Sequence, residues 1–421
     1  MGAEKKMPEV RFKEFSDSWK SSSLNKNIEV LDGDRGHNYP STGDLKEQGH
    51  TLFLSASNVT RRGFEFNSKQ YITLEKSQSM GNGKLALNDI VLTSRGSIGH
   101  IAWYDEIVKQ KVPYARINSG MLILRSNDSM CPSIVSQYLK SPIGAKKIDL
   151  ISFGSAQPQL TKASVSKLKI TIPENKTEQS LVGSYFQKLD TLINQHQQKY
   201  DKLSNLKKAM LEKMFPKVGE TVPEIRFDEF SGDWESKTLG SVASFHKGKG
   251  LPKSSIQDDG VYSCIHYGEL FTKYSEVIEM VTGRTNQNDN FFSVSNDVLM
   301  PTSDVTPKGL VKPCCVKQSG VVLGGDILVI RPNVQNLIDG AFLSRFIRTR
   351  EQQVLQNVTG STVFHLYASS IENLDIAFCS IDEQKAIANY FQKLDLLISQ
   401  NNQQITKLKN IKQACLDKMF V

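Results

Sequence analysis

The sequence predicts an α+β fold: two similar mixed α/β modules alternate with two long helices, which pair as an antiparallel coiled coil in a pseudo-twofold internal duplication. Three observations lead there. The stretch QSLVGSYFQKLDTLINQHQQKYDKLSNLKKAMLEKMF at residues 179–215 returns at 384–420 as QKAIANYFQKLDLLISQNNQQITKLKNIKQACLDKMF, aligned without a gap through YFQKLD and KMF. The opening PEVRFKEFSDSW (8–19) returns as PEIRFDEFSGDW (223–234). Between these anchors, apolar strand-like runs recur while the segments joining them do not. A repeat of this length is a duplicated domain, in the order module, helix, linker, module, helix.

The two long stretches contain no proline and, after Gly183, no glycine. Leu, Lys, Gln and Ala, which favour helix, dominate both. Apolar residues fall three and four apart: Phe186, Leu189, Ile193, Tyr200 and Leu203 in one, Phe391, Leu394, Ile398, Ile405 and Leu408 in the other. Such a narrow stripe packs along a partner helix. Two matching helices in one chain are each other's obvious partner, each reaching roughly 55 Å at about 1.5 Å per residue. His196 and Asn401 align with each other on the stripe. Either they are polar seam positions that fix register, or the helices rotate so that both reach water. The expected packing set is therefore Phe186, Leu189, Ile193, His196 and Leu203 against Phe391, Leu394, Ile398, Asn401 and Leu408. Phe215 and Phe420 are expected to anchor the helix ends.

Within the modules, Asn88-Asp89 before Ile90-Val91-Leu92 matches Asn296-Asp297 before Val298-Leu299-Met300, a turn entering a buried strand. GMLILR (120–125) matches DILVIR (326–331), a second β-branched run. Helical stretches follow at 134–141 and 342–349. Then come glycine-serine turns at Gly154-Ser155 and Gly360-Ser361, and short strands through Leu168 and Ile170 or Leu374 and Ile376. The linker PKVGETV carries Pro, Gly and charges, marks of an exposed boundary. The boundaries read as module one over 1–178, helix one over 179–215, linker over 216–222, module two over 223–383 and helix two over 384–421. Framework kept and loops replaced is what two copies of a fold show when they present different binding surfaces.

Composition bounds the rest. The 421 residues suffice for two or three domains with real cores. No apolar run approaches the roughly 18 residues of a membrane span, and MGAEKKMPEV lacks a signal-peptide core. A cytoplasmic protein is expected, without a membrane partner. The six cysteines form no CxxC pair, so reduced packing cysteines are expected and no metal site. A net charge of +8 with pI near 9 admits a polyanionic partner. There is no GxGxxG opening a helix, no GxxxxGK[ST], no GxSxG, no HExxH, and no Asn-Pro-Pro-aromatic stretch. Asp289, Asp297 and Asp304 read as solvated turn acids. The chain looks like a binder without catalytic residues.

Two variable modules, each introduced by P-E-[VI]-R-F…F…W and followed by a long helix carrying YFQKLD…KMF, with Gly-Ser-x4-Leu closing the module, resemble the specificity subunit of a type I restriction-modification enzyme. The resemblance covers essentially the whole chain. It implies that each module is a target recognition domain reading one half of a split, asymmetric site in double-stranded DNA. The paired helices would space the modules and dock two methyltransferase (modification) subunits, to which restriction (translocase-nuclease) subunits add. S-adenosylmethionine, ATP and Mg would belong to those partners, this chain binding no cofactor. Half-sites one turn apart are separated by about 34 to 36 Å, a distance long helices can set. A non-catalytic protein-interaction adaptor built on a coiled coil is the alternative.

Groups that bond base edges belong in the unmatched loops. In module one these are Arg61 and Arg62 in NVTRRGF, Arg95 and Ser97 in TSRGSIG, and Gln157 and Gln159. Arg to guanine and Gln to adenine are the bidentate pairings that geometry allows. In module two they are Thr302, Ser303, Thr306, Lys308 and His365, with Lys247 and Lys249 of HKGKG as phosphate contacts. Helix lysines, including Lys207 and Lys412, face phosphates, the methyltransferase or solvent.

Overall fold

The computed structural model describes residues 7–154, 158–288, 291–333 and 337–421. Ser155, Gln157 and Asp289 lie outside the described residues. The chain forms two compact units, Met1–Gln197 with Gln403–Val421, and Gln198–Asn402. Each unit holds one module, the first half of the helix that follows it, and the second half of the other helix.

The long helices span Lys176–Lys213 and Ile381–Lys418. Both begin three residues before the repeated sequence, and local capping explains why. The Asn175 side chain accepts from the backbone N–H of Thr177 and Glu178, and Ser380 accepts from Glu383, satisfying first-turn donors that have no partner within the helix. The helices pack together in antiparallel sense. In the first unit the Phe186 and Phe420 rings stack 5.7 Å apart and Lys412 pairs with Asp190 at 2.5 Å. In the second, Phe391 stacks on Phe215 at 6.0 Å and Lys207 pairs with Asp395 at 2.6 Å. Lys207 and Lys412 are thus half-buried seam residues, a correction to the phosphate, methyltransferase or solvent roles expected for them. Glu276 adds a second carboxylate to Lys207 at 3.2 Å. Burial pushes the Asp395 carboxyl up, against the pull of Lys207.

Phe186, Leu189, Phe391 and Leu394 are buried, whereas Ile193, Leu203, Ile398 and Leu408 are half-buried. Asn401 is buried and its amide donates to the Leu397 carbonyl at 2.7 Å, while His196 is half-buried. Gly183 sits where a Cβ would come 2.0 Å from Ser133 Oγ, so only glycine lets the first helix approach the module helix Pro132–Lys140 this closely.

The repeated PE[VI]RF…W segment is explained by a buried carboxylate. Glu178, 1% exposed, accepts from Arg11 Nε and Nη2 at 2.6 and 2.8 Å and from Trp19 Nε1 at 3.1 Å. Glu383, equally buried, accepts from Arg226 at 2.7 Å through both nitrogens. The segment also reaches the far helix end: Val10 N–H donates to Lys418 O, and Ile225 N–H to Lys213 O.

The first module centres on an antiparallel sheet ordered Ile28–Asp32, Met121–Ser126, Ile90–Thr93, Ile101–Trp103. The second has Ala243–Lys247, Ile327–Pro332, Asp297–Pro301, Cys314–Val316 in the same order, with Val277–Ile278 added in parallel. The entering turns match as well: Asn88 and Asn296 have φ of 72° and 84°, the left-handed region asparagine tolerates. Asp89 is held bidentately by Arg125, and Asp297 by Arg331. Asp297 is therefore not a solvated turn acid: it is 1% exposed and paired. The linker also departs from expectation at Pro216, which is buried and whose carbonyl accepts from Arg350 Nη2 at 2.7 Å.

Candidate nucleic-acid interface

In each unit, the central strand that follows the Asn-Asp turn runs out of the core into a polar corner. In the first unit, buried Ile90–Thr93 continues into Ser94 and Arg95, whose N–H groups both donate to Gly120 O at 2.8 and 3.2 Å. Arg95 then forms a β-bridge with Gln159, and Leu160 N–H donates to Ser94 O at 2.9 Å. In the second unit Thr302 N–H donates to Asp326 O and Leu366 N–H to Thr302 O, while Ser303 pairs with His365. The backbone is the same and the side chains differ: Arg95 beside Gln159 in one unit, Ser303 beside His365 in the other.

The chemistry of the two corners follows from those side chains. Arg95 is exposed, and its guanidinium makes no hydrogen bond or ion pair among the described residues. Ser97 is exposed beyond Gly96, which has φ of +70°, and its carbonyl accepts the Thr93 hydroxyl. Beneath them the Ser94 hydroxyl is buried with no partner in the described structure. In the second unit Ser303 Oγ lies 3.1 Å from His365 Nδ1. A cavity of about 460 Å³ opens there, lined by Lys247, Thr302, Ser303 and His365 together with Phe245, His246, Asp326 and Tyr367. Four of the second-module candidates thus share one cleft.

The other candidates lie elsewhere. Arg61 and Arg62 are exposed at the tip of a hairpin, Val59–Thr60 with Gly63–Phe64, and Arg62 pairs with Glu65 at 2.7 Å. Behind that hairpin, Lys140 Nζ lies 4.0 Å from where a Cβ on Gly63 would sit. Burial pushes the Lys140 pKa down to about 8, with Asp190 opposing and Lys412 adding to the shift. The Thr306 hydroxyl caps a short helix by accepting from Gly309 N–H, and Asp304 engages it. Lys308 is mostly exposed, 3.8 Å from Glu351. Lys249 is exposed and its N–H donates to Leu323 O. Sequence reasoning missed Phe245, His246, Asp326 and Tyr367. Asp326 had a signal: it heads DILVIR, where the first copy has Gly120.

Comparison with known proteins settles what kind of chain carries these corners. The model of the type I restriction modification DNA specificity domain matches twice, over residues 17–205 and 231–410. The chain belongs to that family. Specificity-family relatives include the putative type I restriction enzyme MjaX specificity subunit of Methanocaldococcus jannaschii, 23% identical over 373 residues and covering 85% of this chain and 83% of that one. The MjaIX specificity subunit of the same organism is 24% identical over 353 residues, covering 78% and 76%. The crystal structure of the type I restriction-modification S subunit from M. genitalium superposes over 99% of both chains with a TM-score of 0.68 at 14% identity, so the fold is shared. The expected architecture of two specificity domains and two paired helices is that of the family. Among the described residues no helix is long and apolar enough to cross a membrane, and no cluster of His, Cys, Asp or Glu could hold a metal ion.

Proposed function

We propose that this chain is the non-catalytic DNA-reading subunit of a type I restriction-modification assembly, each module reading one half of an asymmetric, split duplex site. The observation that carries this reading is the repeated corner. One backbone presents Arg95 with Gln159 in one unit and Ser303 with His365 in the other. A structural site would keep its side chains through a duplication that kept the buried Arg–Glu and Arg–Asp pairs, whereas a reader of two different sequences must change them. The long helices would set the spacing of the half-sites and dock two methyltransferase subunits, with restriction subunits joining that complex. S-adenosylmethionine, ATP and Mg would be held by those partners, in the cytoplasm where the DNA lies.

Titration of a labelled duplex with the purified chain at rising salt tests this. Phosphate contacts release counterions, so log Kobs should fall steeply and linearly with log salt. Binding that is absent, or indifferent to salt, would favour the protein-interaction adaptor. Methyl transfer from S-adenosylmethionine by the chain alone would overturn the non-catalytic assignment.

A further inference from the structure

Asp326 is the only acid among the described residues lining the cleft of the second unit. It sits between Lys247, whose Nζ is 3.9 Å away, and Thr302, whose hydroxyl donates at 3.5 Å. Both contacts are at the limit of useful length, and an ionised carboxylate has about four acceptor positions. The side chain is 48% exposed and lines the cleft, so it keeps accepting capacity for a donor that enters there. A carboxylate on a surface that meets phosphates is repelled by them unless it finds a donor there.

We propose that this cleft reads an exocyclic amino group on a base edge, adenine N6 or cytosine N4, with the Asp326 carboxylate as acceptor; the inference rests on the DNA-reading function proposed above. In the major groove only those two groups donate, whereas guanine N7 and O6 and thymine O4 accept and would repel the carboxylate. The surroundings suit the role. Lys247, 66% exposed with its Nζ 3.9 Å from the carboxylate, can meet the neighbouring phosphate. Tyr367, 55% exposed, lies with its ring 6.2 Å from that of His365 and 26° from parallel, giving the cleft an aromatic side. Ser303 and His365 line the same cleft and offer further hydrogen-bonding groups for the same or the adjacent base pair. The corresponding place in the first unit is Gly120, which has no side chain, so the first half-site is read without this acceptor.

The test uses the full chain and duplexes carrying the sequence it selects. In the second half-site each adenine is replaced in turn by purine, and each cytosine by 2-pyrimidinone, which deletes one amino group at a time and tells the two bases apart. One such deletion should weaken wild-type binding about tenfold or more, as expected for a hydrogen bond to a charged group. The same deletion should leave Asp326→Ala unaffected, and Asp326→Asn should tolerate an acceptor base at that position. Deletions in the first half-site should affect wild type and variants equally. If every deletion in the second half-site weakens Asp326→Ala as much as wild type, the assignment of Asp326 is wrong while DNA reading stands. If the wild-type chain shows no salt-dependent duplex binding, the DNA-reading function falls, and this inference with it.

Discussion

Truncating Arg95 separates a reading residue from a structural one, because the structure fixes what the side chain does at home. The backbone of Arg95 is committed, its N–H donating to Gly120 O and its strand bridging Gln159. Beyond Cβ the side chain is exposed and bonds no described residue. Arg95→Ala therefore removes no side-chain hydrogen bond or ion pair to the described residues, and unfolding free energy should move by less than about 0.5 kcal/mol. Binding is another matter. A bidentate contact from arginine to guanine discriminates by about 1–3 kcal/mol, or roughly 5- to 150-fold. A phosphate contact would instead weaken all sequences alike and flatten the salt slope by about one unit. Binding-site selection with wild type and variant, followed by salt titration on the selected duplex, distinguishes these. The account expects one position of the first half-site to lose its preference, with the second half-site unchanged. An unaltered selected sequence would refute base reading by Arg95. A loss of stability above about 1 kcal/mol would refute the structural argument, because an exposed, unbonded side chain has nothing of that size to lose.

Three further outcomes are expected. Phe420 is 2% exposed and its ring meets those of Trp19, Tyr138 and Phe186, so Phe420→Ala should cost about 3–5 kcal/mol. Hydrogen exchange should show the loss confined to the unit formed by Met1–Gln197 and Gln403–Val421, and equal deprotection of Gln198–Asn402 would contradict that. Glu178→Ala leaves Arg11 and Trp19 Nε1 without their partner in the core, and urea unfolding should show a loss of about 3–5 kcal/mol. A loss below about 1 kcal/mol would show that the repeated Arg is not pinned by this carboxylate. Burial lowers the Lys140 pKa, so between about 8 and the ordinary lysine range the unfolded chain binds the extra proton and stability rises with pH; below about 8 the penalty is complete. Lys140→Met should flatten that rise in urea midpoints, and an unchanged pH profile would remove Lys140 as its source.

What could be read in advance was whatever the duplication repeated. The helices, the strands Ile90–Thr93 and Met121–Ser126 and their counterparts, and the Asn-Asp turns were all legible, because period and turn chemistry are local properties that two copies display twice. The division of each helix between the two units was not legible. It depends on Phe215 and Phe420 burying against aromatic residues hundreds of positions away or in the other repeat's opening segment. Lys207 and Lys412 looked like surface charge, since nothing in a helical pattern says that a lysine has Asp395 or Asp190 across the seam. At the corners, Arg95 and Ser303 stood out as polar residues ending apolar strands. Asp326 differed from Gly120 at the head of the repeated strand, but an acid before a strand is ordinarily a turn residue, and only folding sets it beside Thr302 and Lys247.

The most direct measurement is the sequence that the intact assembly modifies or selects, mapped over a random or genomic library with this chain as the only specificity component. The account predicts a motif in two unlike parts separated by bases of no preference, and exchange of the second corner's residues should alter only one of those parts. A palindromic or uninterrupted motif, or none at all, would contradict it.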